Sequence, residues 1–547
     1  MKPQVEYSLY LVTDSTEALL GDRDLVEVVE QALLGGVTIV QYRDKTSDTG
    51  DLVATATALH EKCKLHNIPL VINDRVDVAL AVGCEGVHLG QDDMDVASAR
   101  AILGPDRIIG ATVSSIEEAR KAVERGADYL GIGTLYATNT KKNTKDIIGI
   151  NGIRKILKYL DDADEPSQKV KTVCIGGVNA SNLQRVLYQL YAPSSLSKPK
   201  TIDGVAVVSA IIGVRDPRTA ASHLRSLIAS PHPFAATPQP TLDASKLDDS
   251  TLKQSVIRAV KAVHETSPLS HNMTNLVVQN ISANIALAIG ASPIMSNNGA
   301  EAPDLAKLGG GLVINMGTVT PEALSNHRKA IEAYNAAGGP VVLDPVGAGA
   351  TSARKEALTF LLASGYFDLI KGNEREIMAV ARASGFTLDD TTQQRGVDSG
   401  TSLFSTPQKA YIVSRIALRE RTIVLMTGAV DLISNGTHTL AIANGHPYLG
   451  MVTGSGCSLG TTISAYLAAN KEGKFLAAVA GLLHYEIAAE DAAKREDVRG
   501  PGTFIPAFID ELYLRRVDVV EGRKAWVDRV KVEVVEPIGD FGLLREA

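Results

Sequence analysis

Eight short runs rich in β-branched and aromatic residues recur through the first half of the chain, each followed by a segment with helical spacing. They are Tyr7–Thr13, Val37–Gln41, Pro69–Ile72, Gly86–Leu89, Ile108–Ala111, Tyr129–Gly133, Thr172–Ile175 and Val205–Val208. Between them, stretches such as Asp51–Leu65 and Ser115–Gly126 carry apolar residues three and four apart. Strands that alternate with crossover helices form parallel sheets. Eight such units in roughly 230 residues is the count of a (β/α)8 TIM barrel.

At 547 residues the chain is too long for a single core. Ser230–Ser250 has several X-Pro steps and no periodicity, which predicts a linker. The expected division is a barrel over 1–229, a linker over 230–250 and a second domain over 251–547. The second domain alternates again, with strands at Leu312–Met316, Val341–Asp344, Leu369–Lys371 and Thr422–Thr427. Ser458–Ala469 and Phe475–Glu490, rich in Ala and Leu, read as a pair of buried helices. The whole predicts a layered α/β domain with its polar motifs at strand ends. Asp161–Lys169 and Thr387–Pro407 read as insertions.

The net charge of −7 points away from nucleic acid as a partner. No apolar run reaches membrane-spanning length, and the N-terminus lacks a signal-peptide pattern. The four cysteines, Cys63, Cys84, Cys174 and Cys457, form no C-x-x-C pair. The expectation is a reduced, cytoplasmic protein.

In the barrel half, Gln41, Arg43 and Lys45 alternate, so they share a face if the strand continues. An Arg fork with a Lys charge suits a pyrophosphate, although a solvated strand end would look the same. Asp74 and Asp93 each follow a different strand and could hold Mg²⁺, or could cap helices. His88 alone reads as an interior histidine. Thr138, Thr140 and Lys141 form a hydroxyl-rich loop suited to a phosphate. Gly176-Gly177 and Val208-Ser209 end the seventh and eighth strands, where barrels of this type bind phosphate through backbone N–H groups.

These residues resemble the thiamine phosphate synthases over about the first 225 positions. QYRDK, INDR, GVHLGQDD, GTLYATNTKK, IGGVN and VVSAI occur in family order. The resemblance implies a condensation of hydroxymethylpyrimidine pyrophosphate with hydroxyethylthiazole phosphate. It implies that Gln41, Arg43, Lys45 and Asn73 hold the pyrimidine pyrophosphate and that Lys141 also reaches it. Asp74 and Asp93 would bind Mg²⁺, and Thr138, Thr140, Gly176, Gly177, Val208 and Ser209 would surround the thiazole phosphate. Thr112 stands where the family often has Ser, so the hydroxyl is kept.

In the second half, Thr453-Gly454-Ser455-Gly456-Cys457 precedes an Ala-rich helix whose free N–H groups suit an anion, although a lone Gly-rich stretch is more often a tight turn. Asp344 and Glu376 follow separate strands and could serve Mg²⁺–ATP, or could be caps or surface charges. No Walker A sequence is present, which excludes the P-loop class. PLSHNMTNLVVQN, LDPVGAGAT, KGNEREI, MTGAVD and VTGSGCSLG resemble the hydroxyethylthiazole kinases of the ribokinase-like superfamily, over roughly Leu252 to Ala525. By that resemblance Met295, Gly317 and Thr453 border the thiazole, with Cys457 near its hydroxyl and Gly454 alongside. Asp344 and Glu376 serve Mg²⁺. Lys371, Asn373, Thr427, Gly428, Gly454 and Gly456 serve ATP. Cys457 stands where many ribokinase relatives have Asp, and a thiol is a weak base at neutral pH. Lys371 stands where Arg is frequent, which loses the bidentate fork.

Together the halves resemble the fungal bifunctional thiamine-biosynthesis enzymes, synthase first and kinase second. The resemblance implies a homo-oligomer, with dimeric synthases and trimeric kinases closing into a hexamer. Two rivals stay open: a phosphate-sensing protein with inactive sites, and a kinase for another small alcohol such as the hydroxymethylpyrimidine.

Overall fold

Strand residues of the first half alternate between two environments, as a period of two requires. Leu9, Leu11 and Val40 pack under the surrounding helices, whereas Tyr10, Ile39 and Val71 cluster with Tyr129, Val173 and Ala206. The second cluster fills a closed barrel. Its strands are β1 (Leu9–Val12), β2 (Ile39–Tyr42), β3 (Leu70–Asn73), β4 (Gly86–Leu89), β5 (Ile108–Val113), β6 (Tyr129–Ile132), β7 (Lys171–Cys174) and β8 (Gly204–Val207). They join in sequence order, all parallel, and β1 pairs with β8. All eight expected runs are therefore strands of the (β/α)8 barrel. The computed structural model describes residues 2–136, 147–192, 199–232, 249–387, 404–536 and 544–546.

The chain divides into two compact units, Met1–His232 and Pro233–Ala547. Most of the expected linker, residues 233–248, lies outside the described residues, as does 388–403 of the second expected insertion. The first insertion contains the end of the helix Gly149–Asp162 and the short helix Glu165–Lys169.

The second unit is built on a nine-stranded sheet. Its strands are β9 (Leu269–Met273), β10 (Ser292–Ile294), β11 (Gly311–Asn315), β12 (Val341–Asp344) and β13 (Leu369–Asn373). After the two-residue strand β14 (Phe386–Thr387) come β15 (Ile423–Thr427), β16 (Asp431–Ser434), β17 (Thr439–Ile442) and β18 (Val532–Val534). The order is β10-β9-β11-β12-β13-β15-β16-β17-β18, parallel as far as β15 and antiparallel beyond it. β14 pairs separately with β19 (Arg545–Glu546). Val342 and Leu425 face one helical layer, which includes Ser455–Ala469 and Lys474–Lys494. Leu343 and Val424 face the other, with Pro321–Ala337 and Thr406–Glu420. This is the expected layered α/β domain with helices on both faces.

One local expectation is corrected. β2 stops at Tyr42, so Lys45 does not continue the strand face of Gln41. The Asp44 carboxylate accepts from the backbone N–H groups of Thr46 and Ser47, which turns the chain out of the strand.

Candidate active sites

In the first unit, Asp74 follows β3 and Asp93 follows β4, and the two carboxyl groups meet. Neither is a helix cap. The helix Val76–Val82 begins after Arg75 with no capping side chain, and Asp95 caps Val96–Leu103. Asp74 holds a left-handed backbone, φ 63°, a region Asp tolerates better than most residues. Lys45 Nζ lies 2.9 Å from Asp74 Oδ2, so the turn after β2 returns its charge to the site. Gly90 N donates to Asp93 Oδ2 at 2.8 Å. Burial, and then the hydrogen bond with Asp74, push the Asp93 carboxyl above its ordinary range. Facing carboxylates in this state suit a divalent cation. The buried Asn73 Nδ2 has no hydrogen-bond partner, so an acceptor oxygen there would satisfy it. Arg43 Nη1 stands 3.8 Å from Asp14 Oδ2.

Gln41 and His88 are buried within the barrel and join a hydrogen-bonded chain that ends on Thr112. Gly176 and Gly177 follow β7 with φ of 98° and 73°. A Cβ on Gly176 would stand 2.4 Å from Thr134 Cγ2, so that turn requires glycine. Val208 and Ser209 follow β8. Thr138, Thr140 and Lys141 lie outside the described residues.

In the second unit, two strand ends, a mid-strand lysine and one helix start converge. Asn315 ends β11, Asp344 ends β12, Lys371 lies in β13 and Cys457 is in the first turn of Ser455–Ala469. Lys371 Nζ is 3.1 Å from Asp344 Oδ2, and Asn315 Nδ2 donates to the same oxygen at 2.9 Å. Asn315 Nδ2 also approaches Cys457 Sγ at 3.2 Å, and Asn275 Nδ2 donates to Asn315 Oδ1 at 3.1 Å. Burial, then the charge of Asp344, push the Cys457 thiol up to about 12. It is a thiol, not a thiolate, at neutral pH.

Glu376 starts the helix Glu374–Ala383 as part of a capping box with Asn373. Its Oε2 accepts from Asn373 N at 2.9 Å and its Oε1 from Gly347 N at 2.8 Å. Burial first, and the Asp344 charge second, push its carboxyl up to about 7. The capping possibility is thus realised, while the residue still senses Asp344. Among the described residues no group of three or more His, Cys, Asp or Glu is placed to hold a metal. An ion at either acidic pair would complete its shell with substrate phosphate oxygens and water.

Gly317 lies against this cluster, where a Cβ would meet Asn275 Nδ2 at 2.5 Å. Gly454 has φ 93°, and a Cβ there would meet Val278 Cγ1 at 2.9 Å. Gly456 opens onto free space. Met295 is half-buried just past β10, and Thr453 is exposed ahead of the helix. Thr427 ends β15, and Gly428 N donates to the buried Asp431 at 2.7 Å, which holds the turn into β16.

Residues 9–211 match the model of the thiamine monophosphate synthase family, and 260–516 match the hydroxyethylthiazole kinase family. A probable thiamine biosynthetic bifunctional enzyme of Schizosaccharomyces pombe is 43% identical, over 98% of this chain and 100% of its own length. The chain belongs to the bifunctional thiamine biosynthetic enzymes. A second member, the thiamine biosynthetic bifunctional enzyme of Saccharomyces cerevisiae, is 36% identical over 94% of this chain and 96% of that one. The solved hydroxyethylthiazole kinase of Pyrococcus horikoshii is 35% identical, covering 52% of this chain and all of that one, with a TM-score of 0.45. The enzyme carries a thiamine phosphate synthase in its first unit and a hydroxyethylthiazole kinase in its second.

Several residues escaped the sequence reading. Asn275 and Asn315 tie Asp344 to Cys457, yet they read as unremarked polar residues near strand ends. For Asn315 the signal was position alone, within the expected strand Leu312–Met316 at the end where ligands bind; Asn275 had none, because the strand before it is polar. Tyr10 and Tyr129 stood only as members of the expected strand runs Tyr7–Thr13 and Tyr129–Gly133.

Proposed function

We propose that the second unit transfers the γ-phosphoryl group of ATP to the alcohol of 4-methyl-5-(2-hydroxyethyl)thiazole. The first unit then joins that thiazole phosphate to hydroxymethylpyrimidine pyrophosphate, giving thiamine phosphate and pyrophosphate. The observation that carries this reading is the meeting of Asp74 and Asp93 beside Lys45, a site with no structural duty as a helix cap.

In the synthase, Asp74 and Asp93 would hold Mg²⁺, which when bound supplies charge neutralisation for the departing pyrophosphate. Arg43, Lys45 and Lys141 bind the pyrophosphate oxygens, and Asn73 Nδ2 gains its missing acceptor there. The methylene C–O bond breaks, the aminopyrimidine stabilises the cation left behind, and the thiazole nitrogen attacks it. No strong general base is required. Thr138, Thr140, Gly176, Gly177, Val208 and Ser209 surround the thiazole phosphate.

In the kinase, Lys371 already neutralises Asp344, and both Glu376 oxygens accept backbone N–H groups. These residues fit Mg²⁺–ATP through intervening water more readily than by direct ligation. Asn373, Thr427, Gly428 and Gly456 serve the nucleotide, with Lys371 acting through Asp344. Met295, Gly317 and Thr453 border the thiazole. The Gly454–Cys457 amides face the transferring phosphoryl group, so catalysis rests on positioning. The protein works as a cytoplasmic homo-oligomer, with no nucleic-acid or membrane partner. Among the described residues no helix is long and apolar enough to cross a membrane.

A coupled assay tests both steps. It contains hydroxymethylpyrimidine pyrophosphate, unphosphorylated thiazole, ATP and Mg²⁺, with thiamine phosphate as the readout. Product should vanish without ATP and return with pre-phosphorylated thiazole. No product from pre-phosphorylated thiazole would defeat the synthase reading and favour an inactive sensor.

A further inference from the structure

Five side chains cross the barrel interior in one unbroken line of hydrogen bonds. Gln41 Nε2 donates to Tyr10 Oη at 2.7 Å, and Tyr10 Oη meets Tyr129 Oη at 2.7 Å. Tyr129 Oη meets His88 Nδ1 at 2.9 Å, and His88 Nε2 meets Thr112 Oγ1 at 2.8 Å. Tyr10 and Tyr129 are 1% and 0% exposed, so water cannot complete any bond the line leaves open. Burial also holds both phenols above their ordinary range, so each keeps its proton.

The direction of the line follows from counting protons. An amide nitrogen only donates, so Tyr10 accepts from Gln41 and must send its own hydrogen to Tyr129. Tyr129 then sends its hydrogen to His88 Nδ1. The imidazole proton sits on Nε2 and is donated to Thr112 Oγ1. The reverse order would leave the Tyr10 hydroxyl hydrogen buried without an acceptor, which is unfavourable. Thr112 thus accepts from within, and among the described residues its own hydroxyl hydrogen has no acceptor. At the other end, one Gln41 amide hydrogen is committed to Tyr10, which fixes the amide with Oε1 as its acceptor.

We infer that Tyr10 and Tyr129 are positioning residues that hold His88 as the Nε2–H tautomer, so that the synthase presents Thr112 as a donor and Gln41 Oε1 as an acceptor to its pyrimidine. This rests on the reading that Gln41 and Thr112 face that substrate. An aminopyrimidine offers the complement: an amine N–H for Gln41 and a ring-nitrogen lone pair for Thr112. Its 4-oxo counterpart offers the reverse, a carbonyl beside a ring N–H, and meets like against like. The strands leave room for the line. A Cβ on Gly110 would stand 2.1 Å from Tyr129 Cζ, and one on Gly131 would stand 3.0 Å from His88 Cε1.

Two measurements on the full chain test this. The first is nitrogen-15 NMR of histidine-labelled protein without substrate, with the His88 signals assigned by His88→Gln. We expect a protonated Nε2 and an unprotonated Nδ1. The Nδ1–H tautomer, or a doubly protonated ring at neutral pH, would overturn the relay. The second compares kcat/KM for the 4-amino and 4-oxo pyrimidine pyrophosphates in the parent, Tyr10→Phe and Tyr129→Phe, each ratio taken within one sample so that the amount of folded barrel cancels. The parent's preference for the amino substrate should fall at least about tenfold in both variants, the scale of one discriminating hydrogen bond. An unchanged preference in the variants would remove the positioning role. The expected tautomer combined with no amino preference in the parent would overturn the placement of the pyrimidine at Gln41 and Thr112, while leaving the relay itself standing.

Discussion

Lys371 Nζ lies 3.1 Å from Asp344 Oδ2, and neither side chain is more than 3% exposed. Two charges removed from water are tolerated only because each compensates the other and Asn315 adds a hydrogen bond. Replacing Lys371 by Met leaves Asp344 with no cation. We expect the kinase unit to lose about 3–5 kcal/mol of stability, the usual cost of breaking a buried pair. Denaturant unfolding followed through that unit checks it. A variant as stable as the parent would mean that Asp344 is held protonated without help.

Cys457 occupies the place of a base but is held as a thiol, since burial and Asp344 push it up to about 12. Its replacement by Ser keeps a small polar group beside Asn315. The kinase kcat should fall by no more than about tenfold, which is about 1.4 kcal/mol of barrier. Complete loss of activity in a folded Cys457→Ser protein would restore the cysteine as an essential group.

Glu376 gives the kinase a pH signature. Its carboxyl rises from 4.5 to about 7 on folding, so the folded state binds its proton more tightly than the unfolded chain does. Stability contributed by this group is greatest below 4.5 and declines as pH rises toward about 7. Activity should run the opposite way, because the ionised form is the one that would serve Mg²⁺–ATP. The kinase rate should climb through about pH 7, and Glu376→Gln should abolish that limb. The synthase rate of the same sample serves as the control. A parent profile flat from pH 6 to 8 would exclude ionised Glu376 from the nucleotide site.

Lys141 is assigned to the leaving pyrophosphate, where charge grows as the C–O bond breaks. Lys141→Ala should therefore slow the chemical step more than it weakens binding. Single-turnover kinetics separate the two. A variant with weaker affinity but an unchanged chemical rate would move Lys141 out of the transition state.

How much of this was legible depends on how each residue is held. The barrel strands were readable because their runs are apolar on both faces, as Leu9, Tyr10 and Leu11 show. β9 was not, because Ser270, His271 and Asn272 are polar yet fully buried. Ser464, Ser296 and Thr461 provide their hydrogen bonds, and hydrophobic periodicity cannot register that kind of satisfaction. Asp74 and Asp93 could be proposed from their place after strands, but only the caps at Arg75 and Asp95 removed the alternative. The direction of the line from Gln41 to Thr112 needs the partners of Tyr10 and Tyr129, which lie far apart in sequence.

Each unit has its own hydrophobic clusters, the first around Leu11, Val40 and Tyr129, the second around Val342, Tyr466 and Leu343. In a cell, this makes the two halves separable as genetic elements. An allele broken in the barrel and another broken in the kinase should complement each other in trans, with one copy releasing the phosphorylated thiazole and the other consuming it. Loss of thiamine synthesis would then require both lesions to fall in the same half.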